Sequence, residues 1–118
     1  SSPASIYISH KVNMSYHLTR ATLQNLMKYY AVLLGKYKIR CNSVLTGTII
    51  KKENKKFFKE NPKLIKKLID NTPLNQIGNA HNIANLVLFL CSKQSYFITG
   101  QSINIDGGLS LKMHESLL

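Results

Sequence analysis

Two side chains in the first fifth of the sequence are spaced so that they could exchange a proton with a bound ligand. Tyr16 and Arg20 are four residues apart, and a helix would place them on one face, one turn from each other. A nearby cation stabilises a phenolate and lowers the pKa of a tyrosine from about 10, as general acid–base chemistry requires. Taken alone, such a tyrosine is more often a packing residue, so the pair by itself leaves both interpretations open.

The other residues with ligand chemistry do not predict a metal site. The histidines and cysteines lack the short spacings of metal-binding motifs, and no CxxC pair occurs. We therefore expect two reduced, packed thiols and histidines that face solvent or cap local structure. These residues are Cys41, Cys91, His10, His17, His81 and His114.

The residues that could do chemistry lie among alternating helices and strands. Apolar residues recur every three or four positions from Met14 to Leu34, and Gly35 follows, which predicts a long helix. The segment Lys38–Leu45 is typical of a buried strand, and Pro62 begins a short helix that reaches about Ile69. Asn79 is a predicted N-cap. It precedes a helix from Ala80 to Cys91 and a strand from Ser102 to Asp106.

This order predicts an α/β fold in which the two strands pair in parallel, since a helical crossover joins them. Two strands cannot form a parallel sheet that is covered on both faces. The sequence is therefore typical of one part of a larger sheet.

Composition limits the classes of function. The 118 residues suit one domain, and no apolar run of about 18 residues predicts a membrane span. The first residues lack the pattern of a signal peptide, so we expect a cytoplasmic protein. The net charge of +11 comes largely from lysines between Lys51 and Lys67. A patch for nucleic acid or an anionic substrate is the alternative, but a solvated surface is favoured and we do not expect nucleic-acid binding.

Six short motifs follow one another along the chain. YHLTRA begins at Tyr16, IRCNSV follows at Ile39, and TGTI begins at Thr46. They resemble three motifs of the short-chain dehydrogenases/reductases, namely Tyr-x-x-x-Lys, Ile-Arg-Val-Asn-x-Val and Pro-Gly-x-Ile. Three further segments are similar to that family's later motifs, and the resemblance runs from about Met14 to Leu109. These segments are Thr72–Gly78, Ile83–Ser92 and Tyr96–Gly108.

The resemblance implies a Rossmann-type, doubly wound parallel sheet. Residues 1–118 would be the C-terminal portion of that single domain, and the glycine-rich, dinucleotide-binding N-terminal half has no counterpart in this sequence. The implied activity is interconversion of a small-molecule carbonyl compound and its alcohol with NAD or NADP. We expect the cofactor to bind only together with the missing half, so this chain alone would be inactive.

The family also implies roles for individual residues. Tyr16 would donate or accept the proton, and Arg20 stands where the family has lysine. Ser2, fourteen residues before Tyr16, stands near the position of the serine that binds the substrate carbonyl, with Ser5 as a weaker candidate. The cofactor side of the site would comprise Tyr16, Arg20, Thr46, Gly47, Thr48 and Ile49.

Three departures from the family pattern leave a second hypothesis open. Arg20 replaces lysine, Thr46 replaces proline, and Lys51 stands where a threonine is usual. All three concern the cofactor side, so the alternative is a catalytically silent member that acts as an interaction or assembly module. The long helix is apolar on more than one side, which predicts a homodimer or homotetramer.

Overall fold

The structure is a computed structural model and describes residues 1–112; His114 therefore lies outside the described part. Short 3₁₀ turns occupy Pro3–Ser5, Lys93–Ser95 and Leu109–Leu111. The helices and strands, in chain order, are α1 (Met14–Gly35), β1 (Ser43–Thr46), β2 (Ile49–Ile50), α2 (Lys55–Glu60), α3 (Pro62–Asn71), β3 (Gly78–Asn79), α4 (Ala80–Cys91) and β4 (Ser102–Ile105).

The two long helices begin where the sequence predicts. The Asn13 side chain caps α1 by accepting a hydrogen bond from the Ser15 main-chain nitrogen at 3.1 Å. Asn79 caps α4, and its main-chain nitrogen donates to the Asn82 side chain at 2.8 Å in a reciprocal capping box. Each cap satisfies donors that have no partner within the helix.

The predicted parallel pairing is confirmed. β1 lies parallel to β4, with Ser43 opposite Ser102 and Thr46 opposite Ile105. The chain between them includes α4, which is the predicted crossover helix. A second parallel pair, β2 with β3, has two residues on each side, and the sequence analysis did not predict it.

The predicted start of the first strand was wrong. Lys38 has a φ of +62°, and its nitrogen donates to the Gly35 carbonyl at 2.9 Å, so this residue still belongs to the turn that ends α1. The ladder begins five residues later, at Ser43. The last strand ends at Ile105 rather than at Asp106, and α3 extends two residues beyond the predicted Ile69.

The lysine-rich segment contains a short helix that the sequence analysis did not predict. α2 covers Lys55–Glu60 and buries Phe58. Its exposed face carries Lys56, 3.9 Å from Glu60, and α3 carries a similar i,i+4 pair. Lysine and glutamate are good helix formers, so this charged segment favours a helix even though its apolar spacing does not indicate one.

The core of the described residues is small. Leu45 is completely buried, while Val32 on α1 is 85% exposed.

The two edges of β1 have different hydrogen-bond partners. On one edge, the main-chain nitrogens of Ser43 and Gly47 donate to carbonyl oxygens in and next to β4. The Val44 carbonyl points to the opposite edge, where it accepts from the Ser1 nitrogen at 2.8 Å. Among residues 1–112, no helix has the length and apolar character needed to cross a bilayer.

Candidate active site

Helix α1 runs antiparallel to β1 and β4, and this direction determines where Tyr16 lies relative to the two strands. Gln24 is buried at the start of both strands, where its amide donates to the Ser43 hydroxyl at 2.9 Å and accepts from Ser102. Ala31, farther along α1, packs on Gly100, which precedes β4. Tyr16 lies two turns before Gln24, about 12 Å toward the helix N-terminus.

That distance is close to the length of β1 and β4, since four residues of strand span about 13 Å. Tyr16 is therefore level with the carboxyl ends of the two strands. Ligands of open α/β sheets bind outside these ends.

Arg20 covers the ring of Tyr16. Its guanidinium carbon lies 4.7 Å from the ring centroid, within the range of a cation–π contact. The Nε atom of Arg20 is buried and has no hydrogen-bond partner within residues 1–112. The pair thus offers the Tyr16 hydroxyl and the unpaired Arg20 Nε–H to a ligand. A buried donor without a partner, such as Arg20 Nε, is the kind of group that a ligand satisfies.

Ser2 lies beside this pair on the 3₁₀ turn Pro3–Ser5. The Ser2 hydroxyl accepts a hydrogen bond from the Ala4 nitrogen at 3.2 Å. The Ser2 carbonyl accepts from the main-chain nitrogen of Ser5 at 3.0 Å and from its hydroxyl at 2.8 Å. Ser5, the weaker sequence candidate, is thus engaged in holding the turn on which Ser2 stands.

The pKa of Tyr16 lies below the ordinary value for tyrosine. Hydrogen bonding with the Ser2 side chain is the largest cause, and Arg20 adds a smaller effect through hydrogen bonding and charge. Partial desolvation of the phenol opposes them by raising the pKa. The structure therefore brings together Ser2, Tyr16 and Arg20, and the phenolate of Tyr16 is favoured by its two neighbours.

His17 is a residue of this region that the sequence analysis misplaced. Of the two expectations for it, the solvent-facing one was wrong, because only 7% of its surface is exposed. Its Nδ1 atom lies 2.8 Å from the Ala4 carbonyl oxygen. Its position next to Tyr16, where α1 meets the preceding segment, is the signal that could have indicated a role. His10 and His81 are exposed, as expected.

The segment Thr46–Ile49 follows β1 at the same edge of the sheet. Gly47 donates to the Ile105 carbonyl at 3.1 Å and packs so closely on Asp106 that a Cβ there would lie 2.6 Å from the Asp106 Cβ. Thr48 and Ile49 line a cavity of about 320 Å³. Tyr16 is not among the residues that line it, so the cavity is separate from the tyrosine cluster.

A model of the family described as enoyl-(acyl carrier protein) reductase matches residues 1–110. The chain belongs to the short-chain dehydrogenase/reductase family. It is 37% identical over 98 residues to L-rhamnose 1-dehydrogenase (NAD(P)(+)) of Azotobacter vinelandii, a match that covers 83% of this chain and 38% of that protein. The chain thus spans less than two fifths of the length of this curated relative.

Solved structures of family members have the same fold over this length. A short-chain dehydrogenase family protein from Francisella tularensis gives a TM-score of 0.81 at 30% identity, over 95% of this chain and 49% of that one. The 4-hydroxyisoleucine dehydrogenase complexed with NADH gives 0.86 at 28% identity, over 96% and 46%. The parallel strands of this chain are therefore part of a Rossmann-type fold.

Proposed function

We propose that this chain is the C-terminal part of an NAD(P)-dependent oxidoreductase that interconverts a small-molecule carbonyl compound and its alcohol. The observation that carries the proposal is the cluster of Ser2, Tyr16 and Arg20, in which the pKa of Tyr16 is lowered. Membership of a family of oxidoreductases supports the reaction class, and the NADH complex of 4-hydroxyisoleucine dehydrogenase supports a nicotinamide cofactor.

In this mechanism Tyr16 moves the proton. Its phenol donates a proton to the carbonyl oxygen during reduction, and its phenolate accepts the alcohol proton during oxidation. When substrate binds, the Ser2 hydroxyl turns its single hydrogen from the Tyr16 oxygen to the substrate oxygen and so orients the substrate. Arg20 lowers the pKa of Tyr16 further by stabilising the charge of the phenolate. The bound nicotinamide cofactor supplies or accepts the hydride.

The residues present fit such a cofactor on its nicotinamide side. The buried Arg20 Nε has no partner within residues 1–112, and a ribose hydroxyl is an acceptor that suits it. Main-chain groups of the segment Thr46–Ile49 lie at the carboxyl edge of the sheet and would hold the carboxamide. The rest of the site would come from the N-terminal half of the domain, so residues 1–118 alone are expected to be inactive.

Arg20→Ala is expected to weaken the binding of NADH or NADPH to the longest natural form of the protein. The loss of a charged hydrogen-bond donor corresponds to about 1.5–3 kcal/mol, or roughly tenfold to more than a hundredfold in Kd. Titration of cofactor fluorescence measures this change. Lys93→Ala, which removes an exposed cation elsewhere, is the matched control. Equal affinities of the two variants would contradict the assignment of Arg20.

A catalytically silent member is the second candidate, and the placement of Arg20 favours it. The guanidinium stacks on Tyr16 instead of extending away from the ring. Lys51 is exposed, and only its main-chain nitrogen is tied down, by donating to the Asn54 side chain at 2.8 Å. Cofactor binding combined with loss of turnover in Tyr16→Phe would rule out the silent candidate, whereas absence of binding would support it.

We also propose that the intact protein is a homodimer or homotetramer. Apolar side chains of α1 are exposed on several sides, among them Leu18 at 58% and Val32 at 85%, and burial against another chain would remove them from water. Light scattering at micromolar concentration is expected to give a multiple of the monomer mass. Val32→Glu should lower that mass and Lys28→Glu should not. A strictly monomeric mass of the unaltered protein would refute the proposal.

A further inference from the structure

We propose that His17 is a positioning residue that holds the Ser2 turn against Tyr16. The inference rests on the proposed function, because it concerns the geometry of that proton-transfer site. His17 is buried to 93% of its surface, and both of its ring nitrogens face main-chain atoms of the segment that precedes α1.

The shortest contact of the His17 ring assigns its tautomer. Its Nδ1 lies 2.8 Å from the Ala4 carbonyl oxygen, and a carbonyl oxygen only accepts, so Nδ1 carries the hydrogen. Nε2 lies 3.3 Å from both the nitrogen and the carbonyl oxygen of Ser9, and with the hydrogen on Nδ1 it accepts from the Ser9 nitrogen. The ring thereby connects two points of the segment 4–9 to the first turn of α1.

Ala4, one of the two residues that His17 contacts, is also hydrogen-bonded to Ser2. The carbonyl of Ala4 accepts from His17 and the nitrogen of Ala4 donates to the Ser2 hydroxyl at 3.2 Å. His17 also follows Tyr16 in the chain, and the two rings meet edge-on with centroids 6.4 Å apart. The helical turn that carries the phenol therefore also holds the residue whose hydroxyl has the largest effect on the phenol's pKa.

A purely structural histidine would have different consequences from a positioning one. If His17 only filled space, an aromatic ring of similar shape would keep the site and change the stability alone. If His17 positions Ser2, loss of the Ala4 hydrogen bond releases the Ser2 turn. The pKa of Tyr16 then rises toward its ordinary value near 10, and Arg20 remains as the charged neighbour that still lowers it.

The test compares three replacements of His17 in the longest natural form of the protein. His17→Phe removes both hydrogen bonds. His17→Asn retains a donor near the Nδ1 position, and His17→Gln retains an acceptor near the Nε2 position. His10→Asn, at an exposed site in the same segment, is the matched control. Tyrosinate absorbance is titrated against pH, and the difference from Tyr16→Phe isolates Tyr16 from the other tyrosines.

We expect His17→Phe to raise the Tyr16 inflection and to lower kcat/KM near neutral pH by about tenfold to a hundredfold, the cost of a small misplacement in an active site. The Asn variant should lie closer to the unaltered protein than the Gln variant, and His10→Asn should match it. An unchanged Tyr16 inflection in His17→Phe, or an equal loss of turnover at every pH, would overturn the inference.

The remaining outcomes are also decisive. If His17→Phe does not fold by circular dichroism, the Asn and Gln variants decide, and an inflection that is the same in both would overturn the inference. The tyrosinate titration needs no turnover, so it tests His17 apart from the proposed function. If Tyr16→Phe retains full turnover, the proposed function fails. If Tyr16→Phe is inactive while all His17 variants keep the normal inflection, only the inference on His17 fails.

Discussion

Tyr16→Phe in the longest natural form of the protein is expected to lower kcat/KM by about 10²–10⁴-fold, the usual contribution of a positioned general acid or base. The substitution keeps the ring that lies under Arg20 at 4.7 Å and removes the hydroxyl. Cofactor affinity should therefore change much less than turnover. Initial rates with a carbonyl substrate and NADH or NADPH measure the effect. Tyr29→Phe, at an exposed site on the same helix, is the control and should retain full activity.

We expect the same tyrosine to determine how the rate depends on pH. Its pKa is lowered by Ser2 and Arg20, so alcohol oxidation, which uses the phenolate, should rise with pH through an inflection below 10. Carbonyl reduction uses the phenol and should fall through the same inflection. Arg20→Ala should move the inflection toward higher pH. A rate that does not change with pH in either direction, or an active Tyr16→Phe variant, would contradict the assignment of Tyr16.

Periodicity in the sequence predicts the elements of this fold better than their ends. The helices α1 and α4 were predicted almost to the residue because apolar spacing, Asn79 and Gly35 all agree there. The start of β1 was wrong because Lys38 takes a left-handed conformation that lysine seldom adopts. The two-residue pair of β2 and β3 is too short to produce any periodic signal.

In the candidate site, too, the features that depend on neighbouring residues could be predicted from the sequence, and those that depend on distant residues could not. The spacing of Tyr16 and Arg20 is local, and it predicts that they share a helix face. The stacking of the guanidinium on the ring depends on the side-chain rotamer, which spacing does not determine. The burial of His17 depends on where a non-repetitive segment, residues 4–9, folds back on α1, and no sequence pattern specifies that path.

The close contact between Gly47 and Asp106 joins the residue after β1 to the residue after β4. The main-chain nitrogen of Gly47, directly after β1, donates to the Ile105 carbonyl at the end of β4 at 3.1 Å. Asp106 is held in place because its carboxylate accepts from the nitrogens of Gly108 at 2.9 Å and Ser110 at 3.0 Å. Neither partner can move without breaking hydrogen bonds at the carboxyl ends of the strands.

Gly47→Ala is therefore expected to lower the free energy of unfolding by about 1–3 kcal/mol, as overpacking does at sites that cannot yield. The new Cβ would lie 2.6 Å from the Asp106 Cβ and 2.8 Å from its Cα, so no flexible side-chain end can relieve the clash. Urea denaturation measures the change. Gly35→Ala is the matched control, because a Cβ at Gly35 meets nothing within 4 Å, and it should leave stability unchanged or raise it by up to about 1 kcal/mol. Equal stability of the two variants would show that the Gly47 segment is free to shift, and the clash would then have no energetic consequence.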